Sequence, residues 1–457
     1  MRFACFLFFW VLSSELWGDD RRPNLLFMFT DDQPANCLGV MGNREILTPN
    51  LDSLAARGVV FSNAFATTAI CCCNRACLLT GQHMMRHGIR DFITPLSESA
   101  FDQTYPALLR RAGYQTAFLG KYAIGNPNKA SRSMSLPETK FDLWYGFDQS
   151  ISFRQEVDGQ TKYLTDVMTE KAITFLKTKP VDQPFCMTLA FKEPHGPFSY
   201  FDPNVPDPYE SVALSRSPTC TEEDFQSQPD IIRSSLNADG YRSRLSLGPE
   251  SQKEKQTAYR LISRADKAVG EILHALESLN LSNNTIVIFS SDHGSLLGDH
   301  GLTGKWLMYE NSIRVPMIVF DPRAKNTIAG SRRDEMVLSI DIATTMLAAA
   351  GVPIPDGMQG KSMMPLVHGE KVDWRKHFYY EHTYQTDPPR SPIPKTEGIR
   401  TERWKYIRYP ETSPVFEQLF DLEQDPLERQ NLANKPEHAA ELTRLRMMCD
   451  HERVALR

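Results

Sequence analysis

The sequence predicts an α/β fold, with a large, mostly parallel sheet sandwiched by helices and a smaller C-terminal α+β unit carrying an antiparallel sheet. Three observations lead there. Apolar strand-like runs alternate with helical patterns through most of the chain, the mark of a layered α/β sheet. Two of those runs end in clustered acidic residues, Asp31-Asp32 and Asp292-His293, as expected where parallel strands deliver polar groups to one edge. Past about residue 370 the pattern changes to short alternating strands.

Taken in order, the chain opens with Met1-Arg2, the apolar run Phe3 to Leu12, and Ser13-Ser14-Glu15-Leu16-Trp17-Gly18. That run is short, flanked by positive charge and followed by small residues, which fits a secretory signal over residues 1–18 better than a membrane anchor. Leu25 to Phe29, Phe185 to Phe191, Ile286 to Ser290 and Pro316 to Phe320 read as buried strands. Leu51 to Arg57 and Tyr105 to Ala112 read as helices closed by Gly58 and Gly113. Ala76 to Leu79 reads as a short helix with Asn74 as N-cap. Tyr259 to Leu279 places Ile262, Ala265, Val269, Ile272 and Leu273 at core-facing spacing, and Met336 to Ala350 forms another helix before Gly351-Val352-Pro353. Pro194 to about Leu247, rich in Pro, Asp and Ser, reads either as a surface insertion shaping a site mouth or as a neutral loop. Glu437 to Arg453 closes the chain as a helix with Pro436 at its start. The expected domains are residues 22–370, which carry the chemistry, and a C-terminal subdomain, 371–457.

Bulk properties agree with this division. At 457 residues the chain exceeds one average domain, and 41% hydrophobic with 23% charged residues is ordinary globular composition. A net charge of −5 argues against nucleic acid or a membrane surface as the default partner. Of nine cysteines, Cys5 lies in the signal, and the spacing of the others names no disulfide pairing. Vicinal Cys72 and Cys73 are poorly placed to bridge one another.

The densest chemical signal is Cys71-Cys72-Cys73-Asn74-Arg75-Ala76-Cys77-Leu78-Leu79-Thr80-Gly81. A thiol at a helix start feels the positive end of the dipole, as does a bound anion, and Arg75 adds a fixed cation. The local spacing alone also fits a buried structural cysteine cluster. Asp31, Asp32, Asp292 and His293, gathered at one sheet edge, offer the donors a hard divalent cation prefers, although Asp-Asp after a strand also serves as a turn or cap. By themselves Lys121 and Lys305 read as solvated surface lysines, and His195 as a loop residue beside prolines.

Together these segments resemble the type I sulfatase family of the alkaline phosphatase-like superfamily. The family motif Cys-x-Pro-Ser-Arg followed by Thr-Gly aligns on Arg75 and Thr80-Gly81, which makes Cys71 the residue oxidised to formylglycine. Pro23-Asn24 with Asp31-Asp32, Gly120-Lys121-Tyr122, Phe191-Lys192-Glu193-Pro194-His195, Asp292-His293 and Gly304-Lys305-Trp306 match further blocks. Gly398-Ile399-Arg400-Thr401, Lys405-Tyr406, Leu419-Phe420-Asp421-Leu422 and Asp425-Pro426 are similar to its C-terminal signature. The resemblance implies one calcium ion on Asp31, Asp32, Cys71, Asp292 and His293, with Cys71, Arg75, Lys121, His195 and Lys305 as catalytic residues. In that scheme the cations neutralise the sulfate, the hydrated aldehyde attacks sulfur, and His195 protonates the leaving alcohol.

The likeness is greatest to secreted sulfatases of sulfated sugars, including the mucin and glucosamine-6-sulfate group. It implies a sulfated carbohydrate substrate, a formylglycine-generating enzyme as maturation partner, a secreted or periplasmic location, and no stable membrane association. Three positions depart from the family. Cys73 and Asn74 stand where it has Pro and Ser, which bears on recognition by the maturation enzyme. Ala123 replaces a His that would contact the formylglycine hydroxyl. A phosphate or phosphonate ester hydrolase of the same fold and a non-catalytic carbohydrate-binding relative are the alternatives.

Overall fold

The computed structural model describes residues 22–125, 136–148, 151–196, 207–239, 249–324, 328–384 and 392–457. The predicted signal over 1–18 and part of the irregular stretch after Pro194 lie outside the described residues.

Eight strands form the main sheet. Across it they run Ser331–Arg333, Val59–Phe61, Met317–Phe320, Thr285–Ser291, Asn24–Asp31, Phe185–Pro194, Gln115–Lys121 and Leu143–Phe147. All pairings are parallel except those of Met317–Phe320, which runs against both neighbours. The central strand Asn24–Asp31 is buried along its whole length because it is covered on both faces. Its side chains alternate accordingly. Leu25, Phe27 and Phe29 join a core with the helices Cys71–Thr80, Tyr105–Arg111 and Asp341–Ala349. Leu26 and Met28 join the opposite core with Pro49–Arg57, Leu164–Thr178 and Pro249–Ser278.

Two predicted elements differ. The apolar run Met336 to Ala350 is not one helix: Val337–Leu338 pairs as a strand with Ala64–Phe65, and the helix is Asp341–Ala349. Asp341 makes the break by accepting from Leu338 N at 2.8 Å, a polar switch that an unbroken apolar pattern hides. Asn74 is not an N-cap either. The helix covers Cys71–Thr80, all ten residues are buried, and its N-cap is Ile70, which makes no side-chain capping bond. The apolar environment lets Cys71 to Cys73 continue the helix that their polar successor Asn74 suggested was only starting.

The C-terminal unit is a four-stranded antiparallel sheet in chain order: His377–His382, Thr396–Thr401, Trp404–Tyr409 and Phe416–Asp421. Tyr379, Ile399, Tyr406 and Leu419 on one face receive Leu442, Leu445 and Cys449 of the helix Ala439–Ala455. Phe378, Tyr380, Ile407, Tyr409 and Phe420 on the other pack with Phe65, Leu307, Met308 and Ile313 of the main body. An ion cluster seals this joint. The fully buried Lys405 ammonium lies 2.8 Å from Glu310 and 2.5 Å from Glu428, and Arg400 meets Glu310 at 3.1 Å. Burial opposes the charge on Glu310, yet Arg400 and Lys405 outweigh it and hold the carboxyl below its usual range.

All eight described cysteines are buried, and among the described residues none forms a disulfide. Among the described residues no helix is long and apolar enough to cross a membrane. Because removing one member of a buried ion cluster strands the others, Lys405→Met is expected to destabilise the fold by about 3–5 kcal/mol, read from denaturant unfolding.

Candidate active site

The two central strands set the site. Thr30 and Ser291 are in register on the adjacent strands, so Asp31, Asp32 and Asp292 emerge side by side at their carboxyl ends. Asp292 N donates to Thr30 O at 3.0 Å, and Asp32 N donates to Asp292 Oδ1 at 3.2 Å. Asp32 takes a left-handed backbone (φ 73°), a conformation a short polar side chain tolerates, and this turns it away from Asp31.

Cys71 enters from the first turn of its helix. Its Sγ lies 3.3 Å from Asp31 Oδ1, 3.3 Å from His293 Nε2 and 3.0 Å from Lys305 Nζ. The helix start did not lower the thiol pKa. Burial and the Asp31 carboxylate push it up, against Lys121 and Lys305.

Three cations face the three carboxylates. Arg75 Nε donates to Asp292 at 2.9 Å, one terminal nitrogen lies 3.4 Å from Asp31, and the other donates to Lys121 O. Its guanidinium also lies over the Phe29 ring, 4.9 Å from the centroid. Lys121 pairs with Asp31, and Lys305 Nζ sits 2.5 Å from Asp32 Oδ1. Both lysines are buried, not the surface residues their composition suggested. Burial works against each ammonium, but Asp31 beside Lys121 and Asp32 beside Lys305 raise both pKa values. Among the carboxyls, burial works against the charge on Asp31, and Lys121 leads the cations that overcome it. Gly120 makes the Lys121 position possible. Its φ is 107°, and a Cβ there would come within 2.1 Å of Ala190 O.

The two histidines have similar geometry. His293 is buried, with Nδ1 2.9 Å from Gly294 O, so an Nδ1–H bond there leaves Nε2 facing Cys71 as a lone pair. His195, partly exposed, has Nδ1 2.8 Å from Gly196 O and Nε2 3.9 Å from Asp32 Oδ2. Ligand atoms of Asp31, Cys71, Asp292 and His293 all lie within 4.8 Å of one another, and so do those of Asp31, Asp32, Cys71 and His195. The groups share Asp31 and Cys71 and describe one centre. Its three carboxylates, Asp31, Asp32 and Asp292, suit a hard divalent cation.

Every site residue expected from sequence therefore gathers at this edge. Others were not foreseen. Asn74 donates to Asp292 O and accepts from Ser339 Oγ at 2.8 Å, tying the Cys71 helix to the Asp292 strand. Asn237 donates to Thr303 O at 2.7 Å and Lys305 O at 2.8 Å, and Tyr380 OH donates to Trp306 O at 2.6 Å. Tyr380 OH also accepts from Ala69 N at 3.2 Å, two residues before Cys71. Nothing in the spacing of Asn237 or Tyr380 points to these roles; both act on backbone brought near by the fold.

Residues 23–352 match the family model described as Sulfatase. The chain belongs to the sulfatase family. It is a sulfuric ester hydrolase. Residues 298–454 of the sulfatase also match the model for the C-terminal part of N-sulphoglucosamine sulphohydrolase. The sulfatase is 29% identical to the N-acetylglucosamine-6-O-sulfatase of Bacteroides thetaiotaomicron, over 92% of this chain and 84% of that one. It is 27% identical to an arylsulfatase of Clostridium perfringens, over 93% of each. A solved structure in complex with its substrate D-glucosamine-2-N,6-O-disulfate superposes with a TM-score of 0.83 at 26% identity, covering 95% of this chain and 98% of the other. The large, mostly parallel sheet with its small antiparallel companion is the alkaline phosphatase-like fold.

Removing the Lys305 ammonium from this buried site is expected to lower kcat/KM by about 10²–10³-fold, the scale of a lost preorganised charge contact. Asn237→Ala, which frees only the backbone holding Lys305, is expected to lose less. Kinetics of sulfate release on the folded K305A and N237A proteins gives the ranking.

Proposed function

We propose that this sulfatase removes sulfate from a sulfated carbohydrate through a formylglycine derived from Cys71, with one calcium ion held by Asp31, Asp32, Cys71, Asp292 and His293. The observation that carries the reading is the placement of Cys71. Its Sγ is within 3.3 Å of a carboxylate and an imidazole and 3.0 Å from an ammonium, at the edge where Asp31, Asp32 and Asp292 meet Arg75, Lys121 and Lys305. Support for a carbohydrate comes from the relative named for N-acetylglucosamine-6-O-sulfate and from the neighbour holding a glucosamine disulfate.

In this reading a calcium ion held by those residues would supply Lewis acidity to the site. The aldehyde, once hydrated, would supply two hydroxyls: one to bond to sulfur as the ester S–O bond to the alcohol breaks, and one to lose its proton as the aldehyde re-forms and the C–O bond to sulfate breaks. Arg75, Lys121 and Lys305 offset the carboxylates, so that the dication and an anionic ester enter without a large unpaired charge. Lys121 and Lys305 orient the sulfate. His195, at the open side of the site beside Asp32, gives the leaving oxygen its proton. Arg75 bridges Asp31 and Asp292 and fixes their positions.

The leader over residues 1–18 would deliver the enzyme to the periplasm or medium, and a formylglycine-generating enzyme would act on Cys71 during maturation. Cys73 and Asn74 in the motif ask that enzyme to accept a site without its usual Pro and Ser. The antiparallel sheet, with the helix after it, forms the subdomain proposed for 371–457.

Mass spectrometry of the peptide spanning Thr67 to Arg75, from an active preparation, is expected to show an aldehyde at Cys71. Full sulfate release from protein carrying only the thiol would rule the formylglycine out. Chelation is expected to abolish sulfate release and lower the melting temperature, with calcium restoring both; full activity after complete metal removal would exclude the ion.

A further inference from the structure

Two successive residues of the Cys71 helix grip Asp292 at its two ends. Arg75 Nε holds the carboxylate at 2.9 Å, and the Asn74 side-chain amide donates to the main-chain carbonyl. That carbonyl lies one residue past the last ladder pair of its strand, Thr30 with Ser291, so a side chain takes over where the sheet ends. With its N–H end on the carbonyl, the amide leaves its oxygen in need of a donor. Ser339 supplies one, with Oγ 2.8 Å from Asn74 Oδ1. Both residues are buried, so each bond replaces water that cannot reach it.

Ser339 is in turn set by the start of the C-terminal unit. It follows the strand Val337–Leu338, and its N donates to Phe65 O at 2.8 Å. The turn after it is closed by Asp341, whose buried carboxylate accepts from Leu338 N at 2.8 Å and from Lys361 N at 2.7 Å. Arg375 clamps that carboxylate with both terminal nitrogens, one of them at 2.7 Å, and also donates to Met336 O at 3.1 Å. The Trp374 indole N–H reaches the same carbonyl at 2.7 Å. One guanidinium therefore holds the chain on both sides of Ser339. Its planar fork makes this arrangement, which the point charge of a lysine does not reproduce. Arg375 stands two residues before the first strand of the antiparallel sheet, His377–His382.

We infer, on the calcium site proposed above, that Arg375 is a positioning residue for Asp292, acting through Asp341, Ser339 and Asn74, and that the C-terminal unit in this way sets calcium affinity. None of the four touches the ion. They hold the backbone that carries one of its carboxylates, and partners of that kind are worth about tenfold to a hundredfold in metal affinity. The same chain gives a reason for Asn74 where the family motif has Ser. The amide places a donor and an acceptor on separate atoms and so bridges the Asp292 carbonyl to Ser339, whereas a serine has one hydroxyl on a shorter stem.

Calorimetric titration of calcium into the mature enzyme, stripped of metal by chelation, tests this. Asn74→Ser and Ser339→Ala are expected to weaken calcium binding by about tenfold to a hundredfold, and Ser339→Thr, which keeps the hydroxyl, to retain most of it. Arg375→Lys is expected to weaken binding alone but to add little in the Ser339→Ala background, because the two act along one path. Trp374→Phe, which loosens the same turn with the ion pair intact, is a milder probe expected to show the same non-additivity. Leu442→Ala, in the core under the C-terminal helix, is expected to lower the melting temperature and leave calcium affinity unchanged, which separates positioning from general loss of stability. Wild-type affinity in folded Asn74→Ser and Ser339→Ala proteins would overturn the inference. So would losses from the Arg375 or Trp374 variant that multiply with that of Ser339→Ala. A wild-type enzyme that binds no calcium would instead reject the calcium reading, and this inference with it.

Discussion

Three carboxylates buried at the ends of two neighbouring strands are the constraint from which the rest of this structure follows. Asp31 and Asp292 are fully inaccessible and Asp32 is half-buried. Left alone, such a cluster would take up protons or unfold the edge that carries it. Arg75, Lys121 and Lys305 arrive from three separate elements to prevent this, each within contact of at least one carboxylate. Buried ion pairs of this kind add little net stability, because desolvation offsets their attraction. Their value is that the charges are already oriented when an anionic ester arrives, and no solvent has to reorganise during the reaction.

The rest of the molecule holds those cations at fixed distance. Arg75 is carried by a helix that is buried on all sides, an unusual place for so polar a sequence, and its guanidinium is shared among Asp292, Asp31 and the Lys121 carbonyl. Lys121 ends an interior strand, at a point where only glycine lets the preceding backbone approach Ala190. Lys305 sits on irregular chain, and irregular chain must be anchored from outside. Asn237 holds the carbonyl of Lys305 and Tyr380 that of Trp306. Tyr380 belongs to the antiparallel sheet, so the C-terminal unit is part of the catalytic architecture. It touches the segments of both Cys71 and Lys305 through one hydroxyl. The Lys405 cluster keeps that sheet seated.

Much of this was legible in the sequence. Unbroken apolar runs that end in Asp-Asp and Asp-His identify buried parallel strands and their carboxyl edge, because only such strands can be apolar on both faces. Cys71 and Arg75 were readable from their dense local motif, whereas Lys121, His195 and Lys305 were readable only through the resemblance of their blocks to the sulfatase family. What stayed hidden depends on partners distant in sequence. Asn74 has the composition of a cap, and only the position of Asp292 and Ser339 turns it into a cross-link. The break at Asp341 is set by a side-chain bond inside an apolar run, and hydrophobic periodicity has no term for that. Asn237 lies in a stretch whose composition resembles any polar loop.

The cysteine cluster shows how geometry decides what composition leaves open. Cys71, Cys72, Cys73 and Cys77 lie on one helix, and successive residues point about 100° apart, which separates Cys71 from its two neighbours. Cys71 alone turns toward the acids and Lys305. Cys72 and Cys73 pack with Ile70 and Met84, with Phe92, Trp306 and Tyr384 against them, their sulfurs 3.6 Å apart. Cys77, one turn beyond Cys73, lies 3.3 Å from His87 Nε2 and 3.6 Å from the Thr67 hydroxyl. The same rotation carries Arg75, four residues after Cys71 and therefore on the same face, into the carboxylate edge. A Cys and an Arg at that spacing reach one site because the helix brings them around together. A shift of one residue in either would direct it into the apolar core instead.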